Sequence, residues 1–89
     1  MQHIEELRLQ ITEVDAKIIE LIAARRDVVR KIGEYKRQHN LPVFDPTREA
    51  LLKELHDTVC MEHDLSPDMV ANVFEVLIDE SRKVQKNER

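Results

Sequence analysis

Arg25, Lys36 and Arg48 are three cations at inward positions of helical patterns, and only Asp45 and Glu49 lie close in sequence to answer them. Reading from Ile4 in steps of three and four gives Ile4, Leu7, Ile11, Val14, Ile18, Leu21, Arg25, Val28, Ile32 and Tyr35, an apolar seam broken once by a guanidinium. Arginine is almost never fully buried unless paired, and desolvating it alone costs several kcal/mol. The seam therefore predicts that Arg25 faces an anion. Lys36 follows about three helical turns later, ~16 Å along nearly the same face. Two long cationic side chains so placed can converge on a small ligand between them, with Ile32 beneath it. Arg48 lies one turn before Leu51 and Leu52, with Glu49 beside it. Ser81 lies one turn past Leu77 and Ile78, and Gln85 one turn past Ser81. An excess of cations turned inward predicts an anionic ligand held by charge-assisted contacts.

Each residue alone has a plainer reading. A single inward arginine is more often half of a structural ion pair, and Glu49 is placed to neutralise Arg25 or Arg48. Ser81 and Gln85 fit an ordinary decline of burial toward a helix end. The set taken together favours a ligand site. Arg8 sits ~25 Å before Arg25 on the same helix, too far to share one small molecule within one chain. Spacing alone reads it as a solvated charge.

Positioning these groups takes three helices. The first is predicted from about Ile4 to about His39, with Gly33 tolerated inside at about 1 kcal/mol and ended by Asn40 and Pro42. Asp45-Pro46 reads as the N-cap and first residue of a second helix. Its inner face carries Leu51, Leu52, Leu55 and Val59, and it fades near His63. Ser66-Pro67 repeats the start signal. The third helix carries Val70, Val73, Phe74, Leu77 and Ile78 and runs into the C-terminal region, where Lys86 to Arg89 read as frayed. No strand, repeat or low-complexity tract is apparent, so the expected class is all-α, one domain over residues 1–89.

Length adds a constraint. A first helix of about 36 residues spans ~54 Å, whereas a compact chain of this size is only about 30 Å across. The helix overhangs any core its own chain can build, and its apolar seam continues through the overhang. A second copy related by two-fold symmetry is the simplest cover, so an intertwined homodimer is expected. A long coiled-coil hairpin or a different partner protein is a weaker solution.

Composition fits this picture. With 89 residues the chain buries only about 60–65 % of its unfolded surface, so association would help it. One glycine, three prolines and an aromatic share of 3 % point to helices around an aliphatic core. A formal net charge of −4 argues against a general nucleic-acid or anionic-membrane binder. Cys60 is the lone cysteine, so an internal disulfide is excluded and a reducing compartment fits. Glu5 and Glu6 stand where a secretion signal would need an apolar core, and no apolar run reaches membrane-spanning length. A cytoplasmic location is expected.

Two other groupings are weaker. His56, Cys60 and His63 share a helical face at spacings of four and three, but no fourth ligand is evident, so no metal is expected. Arg25, Arg26, Arg30, Lys31, Lys36 and Arg37 form a basic run whose exposed members alternate with Asp27 and Glu34, as on a solvated face. There is no Ser-His-Asp set, glycine-rich phosphate loop or Cys-His nucleophile arrangement.

From Leu7 to Gln85 the chain resembles the all-α chorismate mutases. The segments LRLQITEVDAKIIELIAARR, IGEYK, PVFDPTRE and LIDESRKVQ carry the resemblance. It implies an entwined dimer with two equivalent sites, each taking one arginine from the neighbouring subunit. Arg8 would be the residue lent across. Arg25 and Arg8 would hold carboxylates of the dianionic substrate, chorismate. Lys36 would contact a carboxylate and the ether oxygen, and Gln85 would donate to that oxygen. Glu49, with backbone near Asp45, would bind the ring hydroxyl. Arg48 and Ser81 would line the site and Ile32 would floor it.

The implied reaction, chorismate to prephenate, is a unimolecular Claisen rearrangement of the shikimate pathway toward Phe and Tyr. It breaks a C–O bond while making a C–C bond and needs no nucleophile, metal, cofactor or general base. A stand-alone, monofunctional isomerase is expected, with any feedback control supplied by a partner protein. An isochorismate pyruvate-lyase of the same fold is disfavoured, because that cousin lacks acidic residues at the positions of Asp45 and Glu49. A non-enzymatic helical dimer would carry its cations outward and bind a polymer in a salt-dependent way.

Overall fold

The computed structural model describes residues 3–87. It contains α1 (Ile4–Gln38), α2 (Pro46–Glu62) and α3 (Pro67–Gln85), and no strand among the described residues. The starts of α2 and α3 are capped by side chains, whereas the His3 side chain makes no cap for α1. The Asp45 carboxylate accepts from the Arg48 backbone N–H at 3.0 Å, and the Ser66 hydroxyl accepts from that of Met69 at 3.4 Å. Pro46 and Pro67 occupy first helical positions, where a missing N–H is harmless.

The ends of α1 and α2 are closed alike. Asn40 (φ 54°) and Asp64 (φ 53°) take the left-handed conformation. This lets Leu41 donate to the Lys36 carbonyl at 2.8 Å and Leu65 to that of Cys60 at 2.9 Å. Asn87 is also left-handed (φ 59°) beyond the Lys86 cap. The frayed reading of the tail falls partly on residues 88–89, outside the described residues.

Helix α3 packs against both α1 and α2, which do not pack on each other. The helix faces differ from the predicted ones by about one residue. On α1 the chain's own α3 covers Arg25, Val29, Gly33 and Lys36, and of the predicted seam only Arg25 is withdrawn from solvent. On α2 the inner positions are Glu49, Leu52, His56 and Cys60, while Leu51, Leu55 and Val59 are exposed. Val73 of α3 is exposed as well. The periodicity finds the apolar positions, but a helix with apolar residues on more than one flank does not reveal which flank its own chain will cover.

Gly33 marks the closest approach of α1 to α3. A Cβ there would lie 2.8 Å from the Gln85 Cα, so only glycine lets the backbones meet at this crossing. The core is thin. Val29 and Cys60 are the buried apolar residues among those described, Ser81 is the buried polar one, and no side chain is wholly excluded from solvent. The molecule measures 58 × 27 × 16 Å, with a radius of gyration of 16.4 Å. A compact chain of this length would have about 12 Å. The excess is the free N-terminal half of α1.

Candidate active site

The polar groups gather where the last four turns of α1 meet the end of α3. Arg25 is half-buried and donates through Nη1 to the Ser81 hydroxyl and to the Leu77 carbonyl, the latter at 3.3 Å. Ser81 in turn donates to Leu77 O at 2.7 Å. Ser81 is therefore a buried link between the helices, and the reading of it as declining burial at a helix end is wrong. Three turns along, Lys36 Nζ donates to Gln85 Oε1 at 2.7 Å and to the Val43 carbonyl at 2.9 Å. Arg37 donates to the Gln85 carbonyl at 2.8 Å.

Lysine has only donors, so its contact fixes which end of the Gln85 amide faces it. The oxygen is taken up and the Nε2 group remains a donor for something else. The Gly33 crossing holds this pair in register, since it sets the spacing of α1 from the Gln85 backbone.

Among the described residues, neither Arg25 nor Lys36 has a carboxylate within 4.0 Å. The anion that Arg25 is expected to face is therefore not a carboxylate of its own chain among the described residues: its partners there are neutral oxygens. Burial works against its charge and lowers its pKa from the usual arginine value. His56, whose ring is tilted against Phe74 with centroids 4.1 Å apart, also has its pKa lowered, first by desolvation and then by the nearby charge of Arg25, with Asp57 acting in the opposite direction and a smaller push from Arg48. Arg25 thus contributes a positive potential at the inner side of α2, which suits an anion.

Other predicted residues are placed differently. Arg48 is exposed, not inward, and only its backbone is engaged, in the Asp45 cap. Glu49 answers neither Arg25 nor Arg48. It accepts from Arg82 Nη2 at 2.5 Å, an ion pair across α2 and α3. Ile32 is 43 % exposed, so it borders solvent within one chain. Arg8 lies on the free half of α1 and pairs with Glu5 at 2.8 Å.

Arg82 was not anticipated. It falls four residues after Ile78, on the inner face of α3, and that position was the available signal. Its guanidinium also lies over the Phe44 ring, 5.2 Å from the centroid.

Two grooves flank α3. One, of about 310 Å³, lies between α1 and α3 and is lined by Ile22, Arg25, Val29, Leu77, Ser81 and Val84 among others. The other, of about 510 Å³, lies between α2 and α3 and is lined by Glu49, Leu52, His56, Phe74, Ile78 and Arg82 among others. A single chain therefore brings Arg25 to Ser81, Lys36 to Gln85 and Glu49 to Arg82, and neither of these two grooves holds all of them. No three or more His, Cys, Asp or Glu side chains among the described residues form a metal-binding group. His56 is occupied by Phe74, Cys60 is buried, and His63 is an exposed helix cap. No helix among the described residues is long and apolar enough to cross a membrane.

Residues 7–86 match the chorismate mutase type II family. The chain belongs to that family. A chorismate mutase of Methanocaldococcus jannaschii is 31 % identical over 97 % of this chain and 87 % of its own length. A bifunctional chorismate mutase/prephenate dehydratase of Buchnera aphidicola is 32 % identical over 89 % of this chain, which matches only 20 % of that protein. A 4-amino-4-deoxychorismate mutase of Streptomyces venezuelae is 26 % identical over 92 % of this chain and 80 % of its own length. The family match spans the cross-helix polar pairs, from Arg25 to Gln85.

Proposed function

We propose that this protein is a chorismate mutase, an isomerase that rearranges chorismate to prephenate in aromatic amino-acid biosynthesis, working as a cytoplasmic homodimer. The observation that carries the site reading is that Arg25 and Lys36 are drawn in from solvent yet meet only neutral oxygens. Cations desolvated without a compensating carboxylate are ready to receive an anionic ligand. Family membership names that ligand as chorismate, a dianion.

In this reading Arg25 and Arg8 of the partner subunit hold the two carboxylates and press the substrate into its compact reactive conformer. Lys36 and the Nε2 group of Gln85 supply donors at the ether oxygen, where negative charge grows as the C–O bond breaks. Glu49 and the backbone near Asp45 receive the ring hydroxyl. Ser81 and Arg48 line the site, and Ile32 floors it. Arg8 belongs to the half of α1 that its own chain leaves bare, which supports its use by a neighbour. A millionfold acceleration asks for about 8 kcal/mol of differential stabilisation, within reach of several charge-assisted contacts in a dry site.

The test is a direct assay: purified protein with chorismate, following loss of its absorbance and formation of prephenate. An inactive but folded protein would refute the reading. Some relatives are named for 4-amino-4-deoxychorismate, which carries an amino group in place of a hydroxyl. The environment of Glu49 bears on that choice.

A further inference from the structure

The Glu49 carboxylate is not free. Arg82 Nη2 meets it at 2.5 Å, and both side chains are about two-thirds withdrawn from solvent (30 % and 36 % exposed). The guanidinium is held from a second side by the Phe44 ring. Asp79 accepts from the other terminal nitrogen at 3.3 Å, but it is 59 % exposed, so solvent screens its charge more strongly. Arg82 therefore ties together the joint before α2, the first turn of α2 and the last turns of α3. It converts Glu49 from a bare anion into one half of a neutral pair that keeps acceptor capacity on its second oxygen.

We propose that Arg82 is a specificity-determining residue: by neutralising Glu49 it makes the site select a neutral hydroxyl over a cationic amino group on the substrate ring. The inference rests on the reading of Glu49 as the group that receives that ring substituent. A hydroxyl needs only an acceptor, which the paired carboxylate still provides. An amino group on the same carbon is protonated at neutral pH and would sit beside both a carboxylate and a guanidinium, so the attraction of one is offset by the repulsion of the other. Without the guanidinium, the carboxylate would favour the cation. A repulsive element of this kind is how a site rejects a near-isostere that attraction alone would admit.

The experiment compares kcat/KM for chorismate and for 4-amino-4-deoxychorismate in the full-length wild type, Arg82→Met, Arg82→Gln and Arg82→Lys. The ratio of the two values does not depend on the fraction of folded enzyme, so a merely structural role leaves it unchanged. We expect the ratio of chorismate to amino analogue to fall at least about tenfold in Arg82→Met and Arg82→Gln, and to stay near the wild-type value in Arg82→Lys, which keeps the charge. In a Glu49→Gln background, Arg82→Met should move the ratio by less than about twofold, because the coupled partner is gone. A ratio unchanged in both neutral variants, or lowered equally by Arg82→Lys, overturns the inference. A wild type that rearranges neither compound instead overturns the mutase reading beneath it, and that result is visible before any variant is made.

Discussion

The two halves of α1 share a helical apolar spacing and have opposite surroundings. From Ile4 to Ile22 every residue is exposed, including Ile11 at 60 % and Leu21 at 69 %. From Ala23 to Gln38 the same helix is partly covered by α3 and holds Arg25, Lys36 and Arg37 in cross-helix hydrogen bonds. Apolar residues repeat at helical spacing through both halves, so hydrophobicity is not what separates them. The covered half has α3 to meet and the other half has nothing in its own chain. A continuous apolar strip of this length is a liability in water unless a partner covers it. The contrast supports the proposed site on the covered half and, on the bare half, the proposed surface for a second copy.

The largest test of this contrast is at the covered half. Arg25→Ala and Lys36→Ala should each lower kcat/KM by about a thousandfold or more while circular dichroism shows nearly unchanged helix content. If both instead lose helicity, the cations are structural. The second test joins the halves. Homodimers of Arg8→Ala and of Arg25→Ala should both be inactive, and co-refolding them should restore one good site per mixed dimer. No recovery in dimers shown to be mixed would mean that the sites are not shared.

A third test addresses the bare half alone. Ile18→Asp should shift the sedimentation behaviour toward monomer and lower the melting temperature. On a surface that stays exposed, the same change would alter stability by no more than about 0.5 kcal/mol.

Smaller effects probe the crossing and the groove. Gly33→Ala gains about 1 kcal/mol of helix propensity but drives a Cβ into the Gln85 backbone. Overpacking of that kind costs about 1–3 kcal/mol, so a net loss of stability is expected in denaturant titration, with reduced turnover because Lys36 and Gln85 are pushed apart.

The smallest effect is at His56, whose pKa is lowered by desolvation and by Arg25. Its unfolded form binds a proton more readily than its folded form. Stability is therefore fully present above the ordinary histidine value near 6.5 and declines as pH falls through the window just below it. His56→Gln should flatten that part of a melting-temperature profile. An unchanged profile would show that the groove does not disfavour the charged ring.

Some features were legible because their causes are local. Asp45-Pro46 and Ser66-Pro67 start helices through side-chain oxygens that reach backbone N–H groups three residues on. The inward placement of Arg25, Lys36, Ser81 and Gln85 was also readable, because a charge or an amide on an apolar face stands out against its neighbours. The faces of α2 and of the middle of α1 were misplaced by one position, since periodicity reports where apolar residues lie and not what each strip meets. Arg82 was overlooked because its partner Glu49 is thirty-three residues away in sequence. Next to Ser81 it looked like one more charge near a helix end.

The sequence by itself determined three helices, their ends, and a first helix too long for its own core, because capping, proline geometry and apolar spacing act within a few residues. Tertiary structure alone decided that Gly33 is the contact point with α3, that Lys36 fixes the Gln85 amide, and that Glu49 belongs to Arg82 and not to Arg25. These depend on which helix faces approach one another. That choice is made by summed packing across the whole chain, which no local stretch encodes.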